Sequence, residues 1–297
     1  MATGIPTNRS HIELPRAISS EILVKTQEAS AVMALARQIQ LPGNGVEIPV
    51  ITSDPEAAWV AETSAKPVSN PGLSKKVMTA YKLAVIVPFS NEFRRDAASL
   101  YDELVRRLPG ALAKKFDATV FGPAANKPGS NFDTLGGCSA FSLDTDAYAG
   151  LVAADASIAM ASGNLDGFAL SPQGKGILLA ATDNNKRPLF INNVAEGAIP
   201  MILGAKTLIS KGAYVEGDSA NTVGIAGDWT QAMYGTVEGV KIDISDQASL
   251  TYNDGTNDVT FSLFQHNMFA VRAEIEVGFV ADTNCFALLT TSAESDS

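Results

Sequence analysis

Two histidines, His11 and His266, are the only side chains in this sequence whose ordinary pKa lies near neutral pH. A Ser-His-Asp or Cys-His site needs such a base within reach of a nucleophile. His11 falls in an amino-terminal arm and His266 beside Asn267 at a turn, so both read as surface or turn residues. The segment Ser171-Pro172-Gln173-Gly174-Lys175-Gly176 is the nearest approach to a phosphate-cradling loop. It lacks the first glycine, the spacing and the hydroxyl after the lysine, and reads as a helix start. The carboxylate pairs Asp144/Asp146, Asp254/Asp258 and Glu274/Glu276 are the remaining acid–base candidates. Glu274 and Glu276 share one strand face by the period of two, but solvated positions opposite Arg272 or a neighbouring chain's cation are the plainer reading. The run Asn253-Asp254-Gly255-Thr256-Asn257-Asp258 has the composition of a calcium loop without its spacing or distal Glu. Cys138 and Cys285 cannot form a disulfide framework. Two reduced thiols or a single bridge both stay open, and a metal site would need most of the soft ligands gathered in one place. No catalytic, cofactor-binding or metal-ligating residue is nominated, and the chain is not expected to be an enzyme.

The composition frames that result. Apolar residues make up 46% and charged residues 18%, with 24 Gly and 14 Pro. That is a globular balance with many turns, away from the disordered classes. The 297 residues exceed one small domain and can bury a substantial core. No run approaches the roughly 18 apolar residues of a membrane helix, and residues 1–10 lack the charged-then-apolar pattern of a secretory signal. A soluble product made in the cytoplasm, without a membrane partner, is expected. The net charge of −10 divides unevenly, +2 over residues 1–136 and −12 over residues 137–297. An acidic carboxyl-terminal half argues against a general nucleic-acid-binding surface. It suits the wall of a container that does not grip its contents.

The elements that would position these residues follow from periodicity. Residues 11–30 read as an arm leading into a helix, capped by Ser19 or Ser20, with Ile18, Ile22, Leu23 and Val24 as its apolar side. Alternation in Gln38–Leu41 and Val46–Val50 around Pro42-Gly43-Asn44-Gly45 predicts strand, turn, strand. Residues 51–75 carry Asp54-Pro55, Lys66-Pro67 and Asn70-Pro71-Gly72, with Trp59 the one large apolar anchor. Val77, Thr79, Tyr81, Leu83, Val85 and Val87 then alternate strictly and predict a strand over 75–87. Two strands around an underpacked, Pro-rich stretch predict a long projecting hairpin, which is marginal alone in water. Another subunit is a plausible source of its order.

From Asp96 to Phe121, Leu100, Leu104, Leu108, Leu112, Phe116 and Val120 recur every four residues. They predict a long amphipathic helix, opened near Ser90 or Asp96 and closed by Gly122-Pro123, with Pro109 expected to bend or split it. Residues 122–137 read as a loop. Helices over 145–161 and 172–182, with short strands at 167–172 and 189–191, imply an α/β-like unit around a central sheet. The last third is β-rich, with strands over 237–244, 259–264, 269–280 and 286–289 and a hairpin turn at Asn253-Asp254-Gly255.

Several stretches, in order, resemble the major capsid proteins of tailed bacteriophages with the Hong Kong 97-like fold. Leu14-Pro15, Ile18-Ser19 and Glu21-Ile22 resemble that family's amino-terminal arm, and Ala58-Trp59-Val60-Ala61-Glu62 its extended loop. Lys82-Leu83-Ala84, Pro88 to Phe93 and Arg95-Asp96 resemble the start of its spine helix, and Asp117-Ala118 with Gly122 the end. Leu170-Ser171-Pro172 and Leu178-Leu179 to Leu189-Phe190 are similar to the core of its axial domain. Ala226-Gly227-Asp228-Trp229-Thr230-Gln231-Ala232, Tyr234-Gly235 and Val240-Lys241-Ile242 form the most specific match. Phe264, Asn267, Ala270 to Glu274 and Phe286 complete it.

The resemblance implies an α+β fold with an arm (1–42), an extended β-hairpin loop (43–88), a peripheral domain with the spine helix (89–137), an axial α/β domain (138–237), peripheral-domain strands (238–281) and a return strand and tail (282–297). It implies a virion protein that assembles with itself as pentamers and hexamers into a closed icosahedral shell around packaged double-stranded DNA. A portal is an expected partner and a decoration protein a further candidate. Because only a short arm precedes the body, a separate scaffolding protein is expected. Some relatives crosslink an extended-loop Lys to an Asn of the next subunit. Lys66, Lys75 and Lys76 lie in that region, but no motif selects one. An encapsulin-like nanocompartment shell keeps the fold and changes the role. A soluble α+β enzyme or binding protein would instead show a concave polar pocket and a small oligomer.

Overall fold

A computed structural model describes residues 16–43, 45–51, 59–60, 73–92, 97–183, 185–190, 201–217, 219–253 and 258–293. The readings placed on His11, Lys66, the Pro-rich turns of 52–58 and 61–72, and the turn at 254–257 lie outside them.

Helix α1 spans Arg16–Ala29, so Ser19 and Ser20 lie within the helix and not at the position before it. Ile22 is buried while Val24 faces solvent, which narrows the apolar side that was expected. The chain breaks at Ser30, whose hydroxyl accepts the Met33 N–H at 3.1 Å and caps a second short helix, α2 (Ala31–Leu35). Strands β1 (Arg37–Gln40) and β2 (Val46–Ile51) follow, then β3 (Leu73–Met78) and β4 (Tyr81–Ser90). The alternating run over 75–87 is therefore two strands, parted at Thr79-Ala80. Helix α3 (Ala97–Phe121) runs through Pro109 unbroken, so the proline does not split it. Leu108, Leu112, Phe116 and Val120 are buried on its inner side.

The remaining elements are β5 (Ser139–Ser142), α4 (Ala147–Met160), β6 (Gly167–Leu170), α5 (Pro172–Ala180), β7 (Met201–Ile202), β8 (Ala205–Ile209), β9 (Ala220–Gly227), β10 (Ala232–Thr236), β11 (Lys241–Ser245), β12 (Ser249–Asn253), β13 (Asp258–Ser262), β14 (Met268–Ala281) and β15 (Phe286–Ser292). Asp146 caps α4, and Ser171 caps α5 with Pro172 in its first turn. β12 was not expected from the sequence. β13 pairs with β12 and β11 with β14, so the 237–244 and 259–264 regions are not each other's partners among the described residues.

Two sheets make the body. In the first, β14 uses both edges. β4 runs antiparallel along Met268–Val277, while β11 pairs with Ala270–Glu274 and β10 with Val277–Ala281. β1 adds parallel to β10. The second sheet has the order β5-β15-β9-β6-β8-β7, with α5 as the crossover between parallel β6 and β8. Among the described residues, β2 and β3 pair only with each other, as do β12 and β13. The strand-turn-strand of 38–50 is thus real but not a hairpin: β1 enters the body and β2 leaves it. Leu41 sits at the parting, buried against Gly235 and Gly278, where any Cβ would press on its side chain or on the backbone.

One core cluster lies between α3 and the sheets, around Phe116, Phe121, Phe132, Trp229, Phe279 and Phe286 in mostly edge-to-face contact. A second packs Leu151, Ala154 and Ile158 of α4 onto Phe168, Leu170 and Leu289. A third seats Ile22, Leu108 and Leu112 under Val271, Ala273 and Ile275.

Gly110, beside Pro109, is exposed, and a Cβ there would meet nothing within 4 Å. Gly110→Ala should therefore raise the unfolding free energy of the unassembled subunit by about 0.5–1 kcal/mol. Urea denaturation of the two proteins would measure it, and an unchanged or lowered midpoint would contradict the reading.

Candidate assembly surfaces

The residues singled out for chemistry are scattered and engaged. His266 Nδ1 meets the Ser262 carbonyl at 2.9 Å, and its ring edges Phe261. Asp144 accepts the Thr291 and Ser142 hydroxyls and the Ser292 N–H. The bond from Thr291 holds its carboxyl below the ordinary value. Glu274 pairs with Arg272 at 3.1 Å and Glu276 with Lys82 at 3.4 Å. Ser171 caps α5 through the Gly174 N–H, and a Cβ on Gly174 would lie 2.4 Å from the Val223 carbonyl. This glycine serves packing and cradles no phosphate. Cys138 and Cys285 are both free. Burial pushes the Cys138 thiol up to about 12 and raises that of Cys285, with Asp282 adding to both, so neither is a ready nucleophile. Among the described residues, no three His, Cys, Asp or Glu side chains gather as a metal site, and no helix is long and apolar enough to cross a membrane.

A groove between the start of α4 and the end of α5 is lined by Leu143, Tyr148, Ile177 and Leu189 and carries Asp144, Asp146 and Asp183. Asp146 caps α4, and Asp183 accepts the Asn185 and Arg187 N–H groups at 2.8 Å. Asp146 and Asp183 are thus committed to their own loops, and Asp144 to the end of β15.

The unusual geometry lies in two junctions and in the surfaces they hold out. Asp117, on the buried side of α3, is fully buried. It accepts the hydroxyls of Ser30 at 2.5 Å and Ser210 at 2.6 Å, and the Ala31 and Val32 N–H groups at 2.9 and 3.4 Å. One carboxyl thus ties α2, α3 and the turn after β8. Burial pushes its pKa up, opposed by the hydrogen bonds from Ser210, Ser30, Ala31 and Val32. The second junction is the crossover between the sheets, Gly227 to Ala232. Trp229 is buried there, its indole N–H donating to the Gly167 carbonyl at 3.0 Å, and a Cβ on Gly227 would strike the Phe286 ring.

The β2–β3 hairpin has two unlike faces. Ile48 and Met78 are buried against the body beside Lys76, while Lys75, Glu47 and Val77 face out, with Lys75 and Glu47 paired at 2.8 Å. Beyond it, Trp59 is fully exposed and Val60 partly so. Phe264, just past the β12–β13 hairpin, is 78% exposed. On that hairpin Leu250 stands opposite Phe261 in register, and the Thr251 and Thr260 hydroxyls pair at 2.8 Å.

A profile of the phage capsid family matches residues 12–290. The chain belongs to the phage capsid family. A probable major capsid protein of Mycobacterium phage D29 is 28% identical over 97% of this chain and 92% of that one, and the major capsid protein of Staphylococcus phage 80alpha is 22% identical over 91% and 82%. A structure from Mycobacterium phage Adephagia superposes with a TM-score of 0.69 at 19% identity, covering 90% of this chain and 91% of that one. The capsid of an empty GTA particle gives 0.59 at 16% over 99% and 95%. The α+β, Hong Kong 97-like fold expected from the sequence is therefore the fold observed.

Within this phage capsid chain, the most specific motif falls on the sheet crossover, where buried Trp229 and close-packed Gly227 allow few replacements. In the sequence Asp117 stands out only as part of the Asp117-Ala118 pair near the end of α3. Its donors lie 85 to 93 positions away, so nothing local announces its role.

Asp117→Ala would leave buried donors without an acceptor and should cost on the order of 3 kcal/mol. With the folded pKa raised, the native state holds the proton more tightly. The carboxyl's contribution is then present below 3.8 and lost as pH rises through the folded value. Relative to Asp117→Asn, which does not titrate, wild-type stability should fall as pH climbs from 3.8. Urea denaturation of both proteins across that range would show it, and parallel pH profiles would refute it.

Proposed function

We propose that this chain is the shell subunit of a tailed-phage head, copies of which associate as pentamers and hexamers into a closed icosahedral wall around packaged double-stranded DNA. The observation that carries the reading is the β2–β3 hairpin, a two-stranded sheet of its own with an exposed Trp59 beyond it. Such a hairpin is too small to be stable alone and gains its missing contacts from a neighbouring copy. In this reading residues 43–88 are the extended loop, α3 within 89–137 is the spine helix, the second sheet belongs to the axial domain of 138–237, and the strands of 238–281 complete the peripheral domain. The segment 1–42 is the arm, and 282–297 the return strand and tail. Closed shells repeat one heterologous contact until it closes on itself, so the function resides in surfaces and not in a catalytic centre.

A charge of −12 over residues 137–297 suits a wall that encloses DNA without binding its sequence. A separate scaffolding protein and a portal are the partners such a head takes on, with a decoration protein a further candidate. Electron microscopy of the purified chain, alone and with a co-expressed scaffolding protein, should reveal closed shells, pentamers or hexamers. Their persistent absence from both preparations would overturn the reading.

Ile51 and Leu73 face each other across the hairpin, so Asn-Gly in place of residues 52–72 closes it with a two-residue turn. That protein should keep a folded body, with denaturation and circular dichroism close to wild type, yet form no stable shells. Normal particles from it would show that the loop is dispensable.

A further inference from the structure

Lys75 and Lys76 are neighbours with opposite fates. Alternation turns Lys75 outward to Glu47, a pair internal to the hairpin. Lys76 points inward, where its ammonium donates to Asp133 Oδ2 and to the Ala281 carbonyl, both at 2.6 Å. The platform it meets is held from several sides. Asp133 Oδ2 also accepts the Ala281 N–H at 3.1 Å, and the Asp133 N–H donates to the Phe279 carbonyl at 3.0 Å. Two residues on, the Leu135 N–H donates to the Val120 carbonyl of α3 at 2.7 Å. Lys76 therefore joins the hairpin to the meeting point of α3, the following loop and the end of β14.

The hairpin's covalent links to the body are short and outside any strand ladder: 41–45 on one side and Thr79-Ala80 on the other. Leu41, Ile48, Met78 and Val280 pack beneath them. Apolar packing of this kind is non-directional. The Lys76 contacts are directional and charge-assisted.

We propose that Lys76 is the positioning residue of the hairpin. Its bonds to Asp133 and Ala281 latch the hairpin at one angle to the body, and their release lets it swing as a unit on its two links. The inference rests on the reading of the hairpin as an arm between subunits, since only then does its angle govern which shell curvature can close.

The test compares the full chain carrying Lys76→Met, which keeps much of the apolar stem, with Lys76→Arg, Lys75→Met and wild type. Hydrogen exchange is followed on unassembled subunits and electron microscopy on assembled ones. Lys76→Met should speed exchange in the links, residues 41–46 and 78–81, roughly fivefold, the upper end for a partly exposed pair. The β2–β3 ladder and the segments 108–121 and 286–292 should stay as protected as in wild type. Lys76→Arg should shift the links less, and Lys75→Met not at all. Lys76→Met particles should vary in diameter or stay open where wild-type particles are uniform. Unchanged exchange in the links overturns the latch. Faster exchange with uniform particles overturns its role in setting the angle. Should Lys76→Met fail to fold, seen as lost protection over 108–121, Lys76→Arg decides by the same readouts. If the wild type makes no shells, the capsid reading falls, while the exchange comparison still decides the latch.

Discussion

Asp117, on the long helix, gathers four donors from two other stretches of chain: Ser30 with the start of the short helix that follows it, and the turn at Ser210. A buried carboxyl is costly to desolvate, and it is tolerable here because its neighbours supply hydroxyl and backbone hydrogens together. The cost makes the arrangement selective. Few alternative packings of α2 or of the 210 turn would offer the same donors, so the knot fixes how both seat on α3. With these seated, the Phe116–Phe132–Phe279 cluster and the Trp229 crossover can close around them.

The two sheets are tied by short links of a similar kind. β9 hands over to β10 through the buried Trp229, and β14 hands over to β15 through the turn at Asp282–Cys285, whose Cys285 carbonyl accepts the Asp228 N–H at 3.0 Å. Both crossings meet at the same place, so the first and second sheets are locked at one point. The β2–β3 hairpin has no such lock and is held by a small apolar cluster and Lys76. Order is thus graded from the Asp117 knot outward, and the least anchored described elements are those with faces left for another molecule.

The sequence revealed what periodicity can encode. The fourfold spacing of α3 and the strict alternation of β14 made their buried faces legible, because a helix and a strand each report their own face. Partners are another matter. β1 and β2 alternate as clearly as any hairpin, yet each pairs elsewhere, since alternation specifies a face and not a neighbour. β12 went unseen because Leu250 and Tyr252 sit among Ser, Thr and Asn, too polar for a run. Asp117 and Lys76 were illegible for a deeper reason. Their partners are far off in sequence, and a charged residue in a helix or strand normally points to water.

That contrast also explains why the search for chemistry and the search for function diverge. A catalytic centre needs groups held close and left chemically free. Among the described residues, several groups that come close are spent: Asp117 and Asp146 on capping and junctions, Asp133 on Lys76, the thiols on burial. Among the described residues, the exposed apolar side chains include Trp59, Val77 and Phe264. A fold that uses its polar groups to fix its own joints and leaves apolar patches on thin, projecting elements is arranged to be completed by contact with other subunits. Specificity then rests on the angles at which those elements are held, more than on any single residue at their tips.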